Sequence, residues 1–288
     1  MAQEQGVPLM IARIHHVGIV VHSADAALGF FRDTLGLTVT EDRVIDEQGV
    51  RGVLLSAGEN EIELLEPTRD DTGVARFLQT RGQTMHHICF NTDNVDAELA
   101  RLKGLGVDLI DQEPRDGLAG RIAFIHPKAA HGVIIELATP PAGAHTSHAK
   151  GFDHLAVTVA DYAVAQTTWE RLVGLKVTGE IRPEGRGMVI GQMHSGQAVI
   201  ELLAGTSPDS PMAQRIAEQG ERASSMVAIE VADLDAEVAK YRAKGLTLPD
   251  PATGVLPNSR TSTITADQAF GLAIQLIKEA TSGWHTQV

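Results

Sequence analysis

An internal repeat constrains this chain more than any other feature, because a sequence that matches itself must build its fold from copies of one unit. Displaced by 138 residues, His16-Val17-Gly18-Ile19-Val20 falls on His154-Leu155-Ala156-Val157-Thr158, and Ile62-Glu63-Leu64-Leu65 falls on Ile200-Glu201-Leu202-Leu203. One added residue after Gly220 moves the offset to 139, where Gly132-Val133-Ile134-Ile135-Glu136-Leu137 meets Gly271-Leu272-Ala273-Ile274-Gln275-Leu276. The 288 residues therefore read as two duplicated domains of ordinary size, 12-138 and 151-279. Residues 1-11 are expected to be an N-terminal extension and 280-288 a C-terminal tail. Residues 139-150, rich in Pro, Gly, Ala and small polar residues, read as a linker.

Each domain divides again. In the first, a strand pattern from Ile14 to Val21 leads through Ser23, an N-cap, into a helix with Ala27, Phe30, Phe31 and Leu35 on one side and Gly36 at its end. Alternating segments follow at 52–57 and 61–65. The order then restarts, with a strand at 86–91, a helix lined by Val95, Leu99 and Leu102 that Gly106 closes, and strands at 122–125 and 132–137. The expectation is an α+β chain of four βαβββ modules forming two curled mixed sheets. Phe30, Phe31, Trp169 and Tyr241 have helical spacing and are assigned to the core.

Interior strands avoid charge, so ionisable residues inside them need a reason. His16 and His87 stand at the same point of the first strand in modules one and two, and Glu63 and Glu136 at the same point of the last. The internal spacings are 47 and 49 residues. Modules packed about a pseudo-twofold axis would bring the four together. A lone His or Glu on a strand is more often a hydrogen-bonded core residue or the solvent side of an alternation; four in register favour a metal site. Two imidazoles and two carboxylates suit one divalent ion, Co, Mn, Ni, Fe or Zn. The preceding residues, His15 and His86, are expected on the opposite face by the two-residue strand period, as structural residues or supports for the ligands.

Composition narrows the chemistry. An apolar share of 43% and a charged share of 21% are those of a globular protein. A net charge of -13 disfavours nucleic acid and anionic bilayers. No apolar run reaches the roughly 18 residues of a membrane span, and MAQEQGVPLM has no leader pattern, so no membrane association and a cytoplasmic location are expected. One cysteine, Cys89, leaves neither an internal disulfide nor a thiolate-based zinc site, so a metal must use His, Asp, Glu or Gln.

These segments, with Glu47-Gln48-Gly49-Val50, Ile62-Glu63-Leu64-Leu65-Glu66-Pro67, Met85-His86-His87-Ile88 and His126-Pro127-Lys128, resemble the vicinal oxygen chelate superfamily. The first domain is similar to methylmalonyl-CoA epimerases. The resemblance implies His16, Glu63, His87 and Glu136 as metal ligands and Glu47 as the group that moves the substrate's α-proton. Read alone, Glu47 is better explained as an exposed turn acid beside Gly49, and its place in the matched series is what raises the catalytic role. Glu136 is the candidate for the second acid–base group. The implied reaction is epimerisation through an enolate of a chelated anionic substrate, methylmalonyl-CoA or a related acyl-CoA thioester. In the second domain His154 and Glu201 persist, but Met226 and Gln275 replace the other two ligands and Gly185 faces Glu47 in the register. A thioether and a neutral amide suit a hard dication poorly, so this copy reads as degenerate. The chain would then be a monomer imitating a dimer, or a homodimer. Alternatives are a glyoxalase I-like lyase or isomerase, an extradiol-type dioxygenase, and a non-catalytic small-molecule binder. Lys128 reads as a solvated loop lysine or as a contact for a CoA phosphate.

Overall fold

The computed structural model describes residues 11–142, 150–256 and 258–279. The proposed N-terminal extension up to residue 10, the tail 280-288 and most of the linker lie outside the described residues. In the first half the order is β1 (Ile11–Val20), α1 (Ala24–Leu28), β2 (Thr38–Ile45), β3 (Val50–Ala57), β4 (Asn60–Pro67), α2 (Gly73–Arg81), β5 (Thr84–Thr92), α3 (Val95–Gly104), β6 (Arg115–Gly117), β7 (Gly120–Ile125) and β8 (Ile134–Thr139). The second half gives β9 (His154–Thr158), α4 (Tyr162–Val173), β10 (Val177–Ile181), β11 (Met188–Ser195), β12 (Ala198–Gly205), α5 (Pro211–Gln219), β13 (Arg222–Glu230), α6 (Leu234–Ala243), β14 (Ala252–Thr253), β15 (Ser259–Ile264) and β16 (Ala273–Glu279). Strand β1 begins at Ile11 and β8 ends at Thr139.

Each half is one eight-stranded mixed sheet, ordered β2-β3-β4-β1-β5-β8-β7-β6 and β10-β11-β12-β9-β13-β16-β15-β14. The four βαβββ modules are present, two per sheet. They join at their first strands, β1 antiparallel to β5 and β9 antiparallel to β13. Two further helices, α2 and α5, which the sequence reading did not include, link the modules of each half; α2 buries Ala75 and Leu78, and α5 buries Ile216. Helix α1 starts at the Ser23 cap, whose hydroxyl accepts from Ala26, and runs on as a π-helical segment, Gly29–Thr34, before Gly36 turns at φ 86°.

Alternation along the four central strands decides which residues reach the site. Val17, Ile19, Ile62, Leu64, Ile88, Phe90, Ile135 and Leu137 point into one hydrophobic core that continues into the second half. Phe31 and Trp169 are fully buried in that core, with Phe30 and Tyr241 at 5% and 7% exposure. The opposite face of the same strands carries His16, Gly18, Glu63, His87 and Glu136.

The halves are fastened by paired contacts. The buried Asn60 amide accepts from the Phe152 backbone N–H at 2.8 Å and donates to the Ile14 carbonyl at 2.8 Å. Ser195 and Ser225 hydroxyls accept from the backbone N–H groups of Ile14 and Met85, both at 2.9 Å. A Cβ on Gly132 would meet the Glu221 carbonyl at 2.0 Å, and one on Gly271 would meet the Gln83 carbonyl at 2.2 Å. These positions are equivalents in the repeat, and both glycines have positive φ, 79° and 92°.

Candidate metal centre

Four neighbouring strands, β4-β1-β5-β8, each contribute one side chain to a buried cluster. In the parallel pairing of β1 with β4, His16 lies opposite Glu61, and Glu63 follows two residues later. In that of β5 with β8, His87 lies opposite Ile134, and Glu136 follows two residues later. The near-equal sequence spacings thus become one geometry used twice. His16 Nε2 stands 2.9 Å from His87 Nε2, 3.5 Å from Glu63 and 3.4 Å from Glu136. His87 Nε2 stands 3.4 Å from Glu63 and 2.8 Å from Glu136. All four residues are at most 5% exposed.

This donor set fits a divalent ion. Donors sharing an ion at about 2.0–2.2 Å must lie close to one another, as these do. Burying two carboxylates without a compensating cation is costly, and the carboxylates' pull shows at His16: burial works to lower its pKa, but Cys89, Glu63 and Glu136 raise it well above its ordinary value. Burial likewise works to raise Glu136, and the His87 and His16 imidazoles more than offset it, keeping this carboxyl well below the usual range and ionised. His154, Glu201, Met226 and Gln275 also gather, around a smaller cavity of about 200 Å³. There the Glu201 carboxylate accepts from the Gln192 amide at 3.2 Å, and His154 Nδ1 lies 2.8 Å from the Asp153 carboxylate.

His15 and His86 correct the sequence reading. Each is the extra residue of a β-bulge, so the two-residue alternation fails locally. His15 Nδ1 contacts His16 Nδ1 at 2.8 Å, and His86 Nδ1 contacts His87 Nδ1 at 3.0 Å. Such a contact needs one N–H and one lone pair. Burial, then His16, push His15 down to about 3; burial, then His87, do the same to His86. Both are therefore neutral, and each can accept from the neighbouring Nδ1–H; that tautomer would leave the Nε2 lone pairs of His16 and His87 available to a cation. His15 is itself held 3.7 Å from Glu61, whose carboxylate accepts from Thr40 at 2.6 Å.

Gly18 is a further site residue that sequence reasoning missed. A Cβ there would lie 2.2 Å from the His87 ring, so the imidazole occupies the space a side chain would fill. The repeat held the clue: Ala156 stands at the Gly18 position of the half whose His87 position is Met226.

Above the cluster opens a cavity of about 680 Å³, walled by Leu65, Phe77, Leu118, Ile122, Phe124 and Ile134 and reached by Glu47, Glu63, His86, His87, Arg115 and Glu136. Glu47 sits on the β2–β3 turn at the rim. The turn is braced by Arg69 donating to the Asp46 carbonyl at 3.0 Å and Gln48 donating to the Asp116 carbonyl at 2.8 Å. In the second half, neither Gly185 nor the adjacent Glu184 lines the smaller cavity.

A model of the Glyoxalase/Bleomycin resistance protein/Dioxygenase superfamily matches residues 15–124 and 128–257. Mouse mitochondrial methylmalonyl-CoA epimerase is 34% identical over 137 residues, which are 47% of this chain and 77% of that protein. The uncharacterized protein YqjC of Bacillus subtilis (strain 168) is 38% identical over 137 residues, 47% of this chain and 98% of that protein. A mutant of 4-hydroxymandelate synthase from Streptomyces coelicolor superposes over 94% of each chain with a TM-score of 0.72 at 16% identity, a likeness of fold. None of the described helices is long and apolar enough to cross a membrane.

Proposed function

The chain belongs to the Glyoxalase/Bleomycin resistance protein/Dioxygenase superfamily in both of its halves, and from that premise we propose that the first half is a divalent-metal-dependent epimerase of a malonyl-type acyl-CoA thioester. One observation carries this reading: Glu63, His87 and Glu136 of the four-donor cluster line one cavity together with Glu47, with His16 buried behind them. His16, Glu63, His87 and Glu136 would hold the ion. Bound there, it supplies Lewis acidity that stabilises negative charge on a carbonyl oxygen.

The chain's own groups do the rest. Glu47 stands free of hydrogen-bond partners among the described residues, at the rim of the cavity, where its carboxylate can take an α-proton from one face of the substrate. A positioned base of this kind contributes on the order of 10² to 10⁴ in rate. Glu136, deeper in the cavity, is assigned the opposite face, since epimerisation needs proton transfer on both. The apolar walls exclude water and receive the substrate's small alkyl branch. The second half, with an amide and a thioether at two of the matching positions, shows no equivalent four-donor cluster among the described residues.

The test is α-proton exchange of methylmalonyl-CoA in deuterated water, followed by NMR on metal-reconstituted protein. Loss of the signal is expected with metal, and not with Glu47→Gln, which should still bind metal. An absence of exchange with every divalent ion would overturn the reading, and a hemithioacetal isomerisation assay would then separate a glyoxalase-like enzyme from a binder.

A further inference from the structure

A second cavity, of about 830 Å³, lies between the two halves. Phe77, His86 and Ile134 line both it and the metal-side cavity, so the two spaces adjoin along one wall. One side of the cleft comes from α2 and the 126–134 segment of the first half. The other comes from Val164 and Thr168 of α4 and from residues 219–223 of the second.

Its charge is unlike that of the rest of the molecule. The chain carries -13 overall, and most of its arginines are tied to carboxylates or carbonyls. Arg81, Lys128 and Arg222 all line this cleft, and no hydrogen bond or ion pair engages any of the three side chains among the described residues. The acid in the cleft is Glu221, and its charge is already engaged: one oxygen accepts from the Ala160 backbone N–H at 2.8 Å and meets His131 Nδ1 at 2.9 Å. Three unpaired cations facing one space, two from the first half and one from the second, form a receptor for a polyanion.

We propose that this cleft seats the phosphorylated arm of the thioester substrate, and that the second half completes it through Arg222 and the face of α4. The assignment rests on the acyl-CoA reading above and deepens it. The thioester would sit at the metal-side cavity, and the phosphates would cross the shared wall at Phe77 to reach Arg81, Lys128 and Arg222. The degenerate half would thus serve catalysis without performing it. Where two separate subunits would offer two identical clefts, this chain gives its cationic cleft to the half that kept its four donors.

The experiment uses the full-length, metal-loaded protein. Calorimetry measures binding of CoA and of adenosine 3′,5′-bisphosphate to the wild type, to Arg222→Glu and to Arg81→Glu/Lys128→Glu. In parallel, α-proton exchange is followed with methylmalonyl-CoA and with methylmalonyl-pantetheine, which lacks the nucleotide. The expected result is a loss of about tenfold or more in affinity for both phosphorylated probes in either variant, with binding weakened by salt. KM for the CoA thioester should rise while its kcat and the pantetheine thioester rate stay unchanged. Equal CoA affinity in wild type and variants, or no CoA binding by the wild type, overturns the assignment. If the pantetheine thioester still exchanges in that case, the epimerase reading survives it. Charge-dependent CoA binding with no exchange of either thioester would do the reverse, upholding the cleft and removing the epimerase.

Discussion

At the scale of single residues the candidate centre rests on two residues outside the four-donor cluster, Gly18 and His15, and each gives a prediction. Gly18→Ala places a methyl carbon inside the His87 ring position, so the ring must leave. Metal affinity should fall at least tenfold in a chelator competition, while far-ultraviolet circular dichroism stays native. His15→Ala removes the acceptor that fixes the tautomer of His16 and should cost about 10- to 100-fold in metal affinity. His15→Asp should restore most of it, because Asp153 already does this for His154 at 2.8 Å in the second half. An alanine variant that binds as tightly as the wild type would show that packing alone orients His16.

At the scale of elements, the strands that build the site were legible and the devices that adjust them were not. His16, Glu63, His87 and Glu136 could be found because charge in the middle of an apolar strand is conspicuous and because the spacing recurs. The bulges at His15 and His86 were hidden, since one extra residue in a strand leaves no compositional mark. Strand β2, with its exposed run TVTEDRVI, lacks an apolar alternation because it is the edge of its sheet. The connection between halves was equally silent in sequence: Asn60, one polar residue at a strand start, is fully buried and holds both Phe152 and Ile14. Asn60→Leu strands a buried N–H and a buried carbonyl, at about 1–3 kcal/mol each. A decrease of about 2–6 kcal/mol in unfolding free energy is expected from denaturant titration. A change under 0.5 kcal/mol would mean that water replaces both bonds.

At the scale of the whole molecule, two copies of one sheet meet across a shared core and have diverged in content. One cavity is about 680 Å³ with four convergent donors; its equivalent is about 200 Å³, with Gln192 satisfying the remaining Glu201 carboxylate. Elemental analysis of protein dialysed against the activating ion should therefore give about one metal per chain. A value near two would show that His154, Glu201 and Gln275 still suffice. The glycine under the His87 ring has a last consequence, for history. In the second half that glycine is Ala156, so restoring histidine at Met226 alone would drive the new ring into a methyl group. Neither substitution helps without the other, Gln275 would have to become Glu as well, and a gene that must change three codons to gain such a centre meets a ratchet. Once Ala156 and Met226 were both in place, the way back was closed to single steps, and the second fold could drift toward whatever its partner domain needed.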